Sequence, residues 1–212
     1  ASSPDEENSL HRRLAEIYLQ RGATDGKARP HLEAVVDAGK HAYCEKPVGV
    51  DVHGAKHVIR IGERAQGKVT LHVGFQIRNA PPFVEMVRRI HGGALGKIVC
   101  GQVYYYTGAL DLKHDGRGIS TQEARLRNWI HDRELSGDIV VEQNIHVIDV
   151  CNWVLRSHPL KATATGGRKV PGRHGNTWDH YAGTFDYPDD VHVSFSSTQF
   201  IDGWSEVCER FF

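Results

Sequence analysis

The fold is decided by residues 31–75, which read HLEAVVDAGKHAYCEKPVGVDVHGAKHVIRIGERAQGKVTLHVGF. Apolar side chains recur at helical spacing over residues 31–38 and 52–66, and each segment is followed by a glycine that can end a helix. Residues 41–44 have the composition of a short strand, and residues 69–75 alternate apolar and polar side chains with the period of a strand. This alternation of helix and strand predicts a parallel α/β sheet.

After residue 96 the pattern changes to a succession of strands, which indicates an antiparallel sheet. Strand patterns cover residues 98–106, 161–165, 180–187 and 191–200, and Pro188-Asp189-Asp190 predicts a hairpin between the last two. The polar segment 108–137 is predicted as a long loop. We therefore expect an α/β fold in which a parallel α/β unit (residues 1–79) precedes an α+β domain with a mostly antiparallel sheet (residues 80–212).

The two ends of the sequence suggest a piece of a longer protein. The first residue is Ala1, not Met, and residues 206–212 look like an unfinished strand. A helix is predicted at residues 10–21, with Ser9 as its cap. We expect further protein beyond the 212 residues.

Charge and composition exclude several classes of function. Lys and Arg number 26 and Asp and Glu number 26, so the net charge is zero and gives no support for a basic surface that binds nucleic acid. No apolar run approaches the roughly 20 residues needed to span a bilayer. The four cysteines form no C-x-x-C pair, which disfavours a zinc knuckle or a disulfide framework and favours a cytoplasmic location. The missing initiator Met leaves export after removal of a leader open.

An unusual polar stripe lies on the predicted helix at residues 142–155. Glu142, His146 and Asp149 follow the spacing i, i+4, i+7 among side chains that are otherwise mostly apolar. A Glu four residues before a His can fix its tautomer and raise its basicity, which prepares a general base. Two alternatives remain open. The His can be a satisfied polar contact, or the three side chains can hold a divalent metal ion. Ligands from one straight helix rarely surround an ion, so we expect no metal site.

A second candidate is Glu45-Lys46-Pro47, directly after a predicted strand. Ligands of open parallel sheets gather at the carboxyl ends of the strands. A partly desolvated Lys at that edge can act as an acid or a base, although an exposed Lys in a turn is the commoner outcome. Pro47 favours an extended conformation at Lys46 and permits a cis peptide bond between the two residues.

Three segments together resemble the Gfo/Idh/MocA oxidoreductases. Residues 38–47 (AGKHAYCEKP) are similar to the AGKHxxxEKP signature of that family, and residues 73–78 (VGFQIR) to its VGFxxR turn. Residues 136–149 (SGDIVVEQNIHVID) resemble the segment that holds its Asp/Glu-x-x-x-His pair. The segments occur in the order of the family, and the resemblance covers about residues 28–212.

The resemblance implies a Rossmann-type dinucleotide-binding domain, here partial, and a substrate domain whose sheet mediates homo-oligomerisation. It implies NAD or NADP as cofactor and a sugar, cyclitol or similar polyol as substrate. Lys46 would be the active-site lysine, and His146 the proton acceptor with Glu142 beside it. Glu45 and Pro47 would lie by the nicotinamide with Lys46, and Arg78 and Trp129 would shape the substrate pocket with His146.

One departure from the family keeps two other functions open. No G-x-G-x-x-G phosphate loop occurs in the sequence. Without that loop, a non-catalytic dimerisation module built on the second domain is an alternative. The other is a metal-dependent isomerase or hydrolase that uses Glu142, His146 and Asp149.

Overall fold

The computed structural model describes residues 28–170 and 174–212. The helix predicted at residues 10–21 and its cap Ser9 lie outside the described residues. In chain order the helices and strands are α1 (Ala28–Asp37), β1 (Ala42–Cys44), α2 (Val52–Ala65), β2 (Leu71–Val73), α3 (Pro81–His91), β3 (Cys100–Thr107), α4 (Thr121–Arg127), α5 (Arg133–Ser136), α6 (Asp138–Glu142), α7 (Ile145–Leu155), β4 (Lys161–Gly167), β5 (His180–Asp186), β6 (His192–Gln199) and β7 (Glu206–Phe211).

The chain folds into two compact units. The first unit contains the described residues up to Gly74 together with Leu112–Glu142, and the second contains Phe75–Asp111 and Gln143–Phe212. The chain enters the second unit at Phe75, and residues 112–142, which were expected in the second domain, belong to the first unit. The assignment of dinucleotide binding to residues 1–79 and of substrate binding to residues 80–212 stays a prediction.

The first unit contains the predicted strand–helix–strand repeat. Strands β1 and β2 are parallel, with Ala42 opposite Leu71, and α2 connects them. Asp51 caps α2 by accepting a hydrogen bond from the Gly54 amide. Apolar side chains of α1 and α2 form the core, and residues in the strands or close to them in sequence pack against it: Leu32, Val36, Val58, Ile61, Ala65, Ala42, Val48, Val69 and Leu71. The parallel unit expected from the periodicity is confirmed.

The expectation of a structureless loop over residues 108–137 is wrong. Helix α4, a 3₁₀ turn at Trp129–His131 and helix α5 occupy part of it. Its polar residues are caps and ion-pair partners. Ser120 accepts from the Glu123 amide at the start of α4, and Asp132 accepts from the Glu134 amide at the start of α5. Such short helices depend on their caps more than on apolar periodicity, so the periodicity did not reveal them.

The second unit is built on a five-stranded sheet in the order β4-β5-β6-β3-β7. Only β3 and β6 are parallel; the other three neighbouring pairs are antiparallel. The mostly antiparallel sheet and the β5–β6 hairpin are thereby confirmed. The strand expected at the end of the sequence is β7, whose residues 206–211 pair with residues 101–106 of β3. Helices α3 and α7 pack together through Val87, Val150 and Val154, joined by Phe211 of β7.

The single helix predicted at residues 142–155 is interrupted. Glu142 ends α6, and α7 begins at Ile145, because the His146 amide bonds the Gln143 carbonyl three residues back instead of four. Gly137 (φ 75°), directly before α6, and Asp138 (φ 72°), its first residue, have positive φ angles. Glu142 and His146 therefore stand on separate helices, so the polar stripe is not one continuous helical face. Within the described ranges no helix combines the length and apolar character that crossing a bilayer requires.

Candidate active site

In the first unit, Lys46 meets Glu142. Strand β1 ends at Cys44, Glu45 follows, and the Lys46–Pro47 peptide bond is cis. The Lys46 ammonium donates to Glu142 Oε1 at 2.7 Å and also to the backbone carbonyl of Glu142. Their side chains are only 15% and 11% exposed. The carboxyl edge of the parallel strands thus carries a largely buried ion pair, which joins two of the residues selected from the sequence.

The Glu142 carboxylate has capacity left for a ligand. Oε1 accepts from Lys46, whereas Oε2 is buried and has no hydrogen-bond partner among the described residues. A buried carboxylate oxygen without a donor is unfavourable by roughly 1–3 kcal/mol, so such atoms usually mark a site where water or a ligand binds. A hydroxyl group is the simplest neutral donor that would satisfy it.

Glu45 is packed closely against the end of β2. A Cβ placed on Gly74 would lie 2.5 Å from Glu45 Oε2 and 2.7 Å from the Tyr43 hydroxyl, so only glycine leaves both side chains where they are. The Gly74 amide donates to the Cys44 carbonyl at 2.8 Å, which ties the two strand ends together. Burial and the neighbouring Glu45 raise the pKa of the Cys44 thiol to about 11, so it stays protonated at neutral pH and is no nucleophile.

In the second unit, His146 lies in the first turn of α7 and is 7% exposed. The ring of Phe75 contacts its imidazole edge-on, with 6.1 Å between ring centroids. One turn further, Asp149 accepts two hydrogen bonds from Arg78, at 2.7 and 2.9 Å. The Arg78 guanidinium also lies over the ring of Trp153, 5.4 Å from its centroid.

The structure therefore gives each member of the predicted polar stripe a different neighbour. Glu142 binds Lys46, His146 contacts Phe75, and Asp149 binds Arg78. The Arg78–Asp149 pair was not expected from the sequence; the only signal for it was opposite charge in two of the quoted motifs. Trp129 lies in the first unit, half-buried in its 3₁₀ turn. The substrate-contacting roles of Arg78 and Trp129 stay predictions.

The metal alternative finds no assembled ligand set. Within residues 28–170 and 174–212, no three His, Cys, Asp or Glu side chains are grouped so that they could hold an ion. Asp149, one of the three proposed ligands, uses both carboxylate oxygens on Arg78. Lys46 and Glu142 offer an ammonium and a carboxylate in the first unit, and His146 offers an imidazole in the second. An ammonium can stabilise an alkoxide, and an imidazole can move a proton.

Comparison with known proteins identifies a family and several relatives that match parts of this chain. A family model described as the GFO/IDH/MocA C-terminal domain matches residues 83–209. A 1,5-anhydro-D-fructose reductase from Ensifer adhaerens is 27% identical over 160 residues, which are 75% of this chain and 43% of the reductase. An inositol 2-dehydrogenase from Paracoccus denitrificans is 30% identical over 144 residues, 68% of this chain and 36% of that enzyme. The chain thus spans less than half the length of these relatives.

Solved structures share the fold. An oxidoreductase domain protein from Kribbella flavida superposes with a TM-score of 0.70 at 18% identity, covering 86% of this chain and 50% of that one. GenD2 from gentamicin A biosynthesis, solved in complex with NAD, gives a TM-score of 0.64 at 18% identity, covering 85% of this chain and 47% of that one. At these identities the likeness concerns the fold alone.

Proposed function

Because this chain belongs to the GFO/IDH/MocA family, we propose that it forms part of an oxidoreductase acting on a sugar, a cyclitol or a similar polyol. The proposed reaction moves a hydride between a carbinol carbon and NAD or NADP. The observation that carries this proposal is the Lys46–Glu142 pair, whose second carboxylate oxygen is buried without a partner. The reductase and dehydrogenase names of the relatives support the substrate class.

The residues present fit the nicotinamide end of the cofactor. Glu45, Lys46 and Pro47 follow β1 at the carboxyl edge of two parallel strands, where ligands of such sheets bind. The orphaned Glu142 oxygen lies beside Lys46. The sequence contains no glycine-rich phosphate loop, so we assign no residue to the pyrophosphate. When bound, the nicotinamide supplies the acceptor or donor of the hydride.

The protein's own groups supply placement and proton transfer. We assign the Lys46 ammonium to the oxygen of the reacting carbon, where its charge stabilises the developing alkoxide. His146 takes the hydroxyl proton as general base. Glu142 holds the ammonium in place and offers its second oxygen to a substrate hydroxyl. Glu142 and His146 are four residues apart in the sequence, which supports a joint role for them.

The test is turnover of a panel of inositols and aldoses with NAD and with NADP, followed by the absorbance of the reduced nicotinamide. Lys46→Ala and His146→Ala should each lower kcat by about 100-fold or more. The exposed Lys68 and His53 provide matched controls, and Lys68→Ala and His53→Ala should leave kcat unchanged. Wild-type rates in either site variant would remove that residue from the mechanism.

We also infer that the sheet of the second unit joins two copies of the protein. Thr163, Thr184, Ser194, Gln102 and Arg210 lie opposite one another across all five strands and are exposed. Opposite residues share one face of a sheet. Residues on the other face, such as Val103, Val193 and Phe195, are buried. The exposed row that these five residues form on the sheet can be covered by the identical row of a second copy related by a two-fold axis.

A further inference from the structure

The second unit contains a clamp between the two segments at which the chain enters it. The first entry begins at Phe75 and continues into a 3₁₀ turn, Gln76–Asn79. The later entry begins at Gln143 and leads directly into α7. These segments are about seventy residues apart in sequence, as the Arg78–Asp149 separation of 71 shows, yet side chains of one hold side chains of the other.

Three contacts hold one face of α7. His146, Asp149 and Trp153 follow the spacing i, i+3, i+7, so their side chains point to the same side of the helix. Phe75 contacts the imidazole of His146. Arg78 binds the carboxylate of Asp149 and lies over the indole of Trp153. The short segment 75–79 therefore contacts the helix along two turns.

The Arg78–Asp149 contact has the geometry that fixes orientation. Nε donates to Oδ2 and Nη2 to Oδ1, so two parallel hydrogen bonds hold the guanidinium and the carboxylate in a common arrangement. The Asp149 side chain is only 12% exposed, which limits competition from water for its carboxylate, whereas the Arg78 side chain is 40% exposed. The guanidinium also stacks on Trp153 in a cation–π contact. The compact ammonium of a lysine would not stack on the indole in the same way.

We propose that Arg78 is a positioning residue that sets the rotation and axial position of α7 and thereby the place of the His146 imidazole. The proposal rests on the proposed function, in which His146 moves the proton. In this proposal Arg78 acts by positioning His146 and does not contact the substrate directly. A displacement of about 1 Å in a reacting group can lower a rate by about 100-fold, so a clamp one turn away from the base affects kcat.

Arg78→Lys tests the clamp because it keeps the positive charge and removes the pair of parallel hydrogen bonds to Asp149. We expect kcat to fall by about 10-fold to 100-fold while KM changes by less than about twofold. Asp149→Asn should have the same effect, and the double variant should lose no more than either single variant, since both break one contact. Arg88 forms a matched two-bond pair with Glu85 on α3 of the same unit, so Arg88→Lys is the control and should leave kcat unchanged.

A second measurement separates this proposal from the proposed function. The NMR signals of the His146 imidazole in the free protein should move in Arg78→Lys and stay in place in Arg88→Lys. If the wild-type protein turns over no polyol, the proposed function fails, and the imidazole signals still decide whether Arg78 positions His146. Unmoved signals in Arg78→Lys overturn the positioning role. An increase in KM with unchanged kcat overturns it as well, in favour of direct substrate binding by Arg78.

Discussion

Lys46 Nζ lies 2.7 Å from Glu142 Oε1, although 96 positions separate the two residues in the sequence. The contact joins the strand–helix–strand repeat to the helix that ends at Glu142, both within the first unit. A lysine at this edge would otherwise expose a mobile side chain. Here its ammonium is held at two oxygens of one residue, which fixes the position of the charge.

Breaking this ion pair should destabilise the first unit. Glu142→Gln keeps the size of the side chain and removes the charge that compensates the largely buried ammonium. We expect the free energy of unfolding to fall by about 3 kcal/mol, measured by urea denaturation. Glu142→Asp keeps the charge on a side chain one methylene shorter and should cost less. The exposed Glu63 provides a control, since Glu63→Gln should change stability by less than about 0.5 kcal/mol. Equal stabilities of Glu142→Gln and the wild type would contradict a structural role for the pair.

Gly74 should matter for the nicotinamide side of the site more than for stability. In Gly74→Ala the added methyl group displaces the ends of the Glu45 and Tyr43 side chains, which can move, and leaves the backbone alone. We expect a KM for the nicotinamide cofactor raised by about 10-fold with a small change in Tm, since one displaced polar contact is worth roughly 1–2 kcal/mol. Gly183→Ala is the contrasting control, because its methyl group would lie 2.7 Å from the Thr163 carbonyl and should lower Tm strongly. An unchanged KM for the cofactor in Gly74→Ala would show that Glu45 does not contribute to cofactor binding.

Asp132 has two functions that can be separated. It caps α5, and it binds Arg125, whose hydrogen bond lowers the pKa of the Asp132 carboxyl despite partial burial. The stability that the ionised Asp132 carboxylate contributes is present above the ordinary pKa of an aspartic acid. It is lost as the pH falls through the lowered pKa of Asp132 in the folded protein. Asp132→Asn keeps the cap and loses the charge, whereas Asp132→Ala loses both. We expect Asp132→Ala to lower the free energy of unfolding by about 1–2 kcal/mol and Asp132→Asn by less. Equal losses would mean that the cap contributes nothing.

Glu209 should make the second unit less stable at alkaline pH. Burial raises the pKa of this carboxyl from 4.5 to about 7, and its Oε1 has no partner among the described residues. The folded protein therefore binds a proton more tightly than the unfolded chain does. The resulting stability is complete below about pH 4.5 and is lost as the pH rises through about 7.

The measurement is urea denaturation at pH 5 and pH 8. The wild type should lose about 1–3 kcal/mol between these values because of Glu209. Glu209→Gln should remove that loss. Glu85 is the control, since Arg88 and Arg89 lower its pKa to about 2, and Glu85→Gln should leave the dependence in this range unchanged. The same loss in Glu209→Gln would show that another group titrates.

The features that could be predicted from the sequence are those that depend on apolar periodicity or on short motifs. The alternation over residues 31–75 fixed the parallel strands, and Glu45-Lys46-Pro47 and His146 were selected because motifs carry them. The sequence could not predict the partners of these residues, because pairs such as Lys46–Glu142 and Arg78–Asp149 depend on packing between distant segments. It also missed the short helices after Ser120 and Asp132, where caps replace apolar spacing as the signal.

The exposed row across the sheet gives the last prediction. Thr184 and Ser194 are opposite one another at the centre of that row, where the faces of two copies would meet. The double variant Thr184→Lys/Ser194→Lys brings like charges together across the two-fold axis, and burying them without partners costs several kcal/mol. Light scattering should then report half the wild-type mass. Gln66 and Gln122 are exposed in the first unit, so Gln66→Lys/Gln122→Lys adds the same charge elsewhere and should leave the mass unchanged. A monomeric wild type, or an oligomer that survives both added lysines, would rule out this face as the interface.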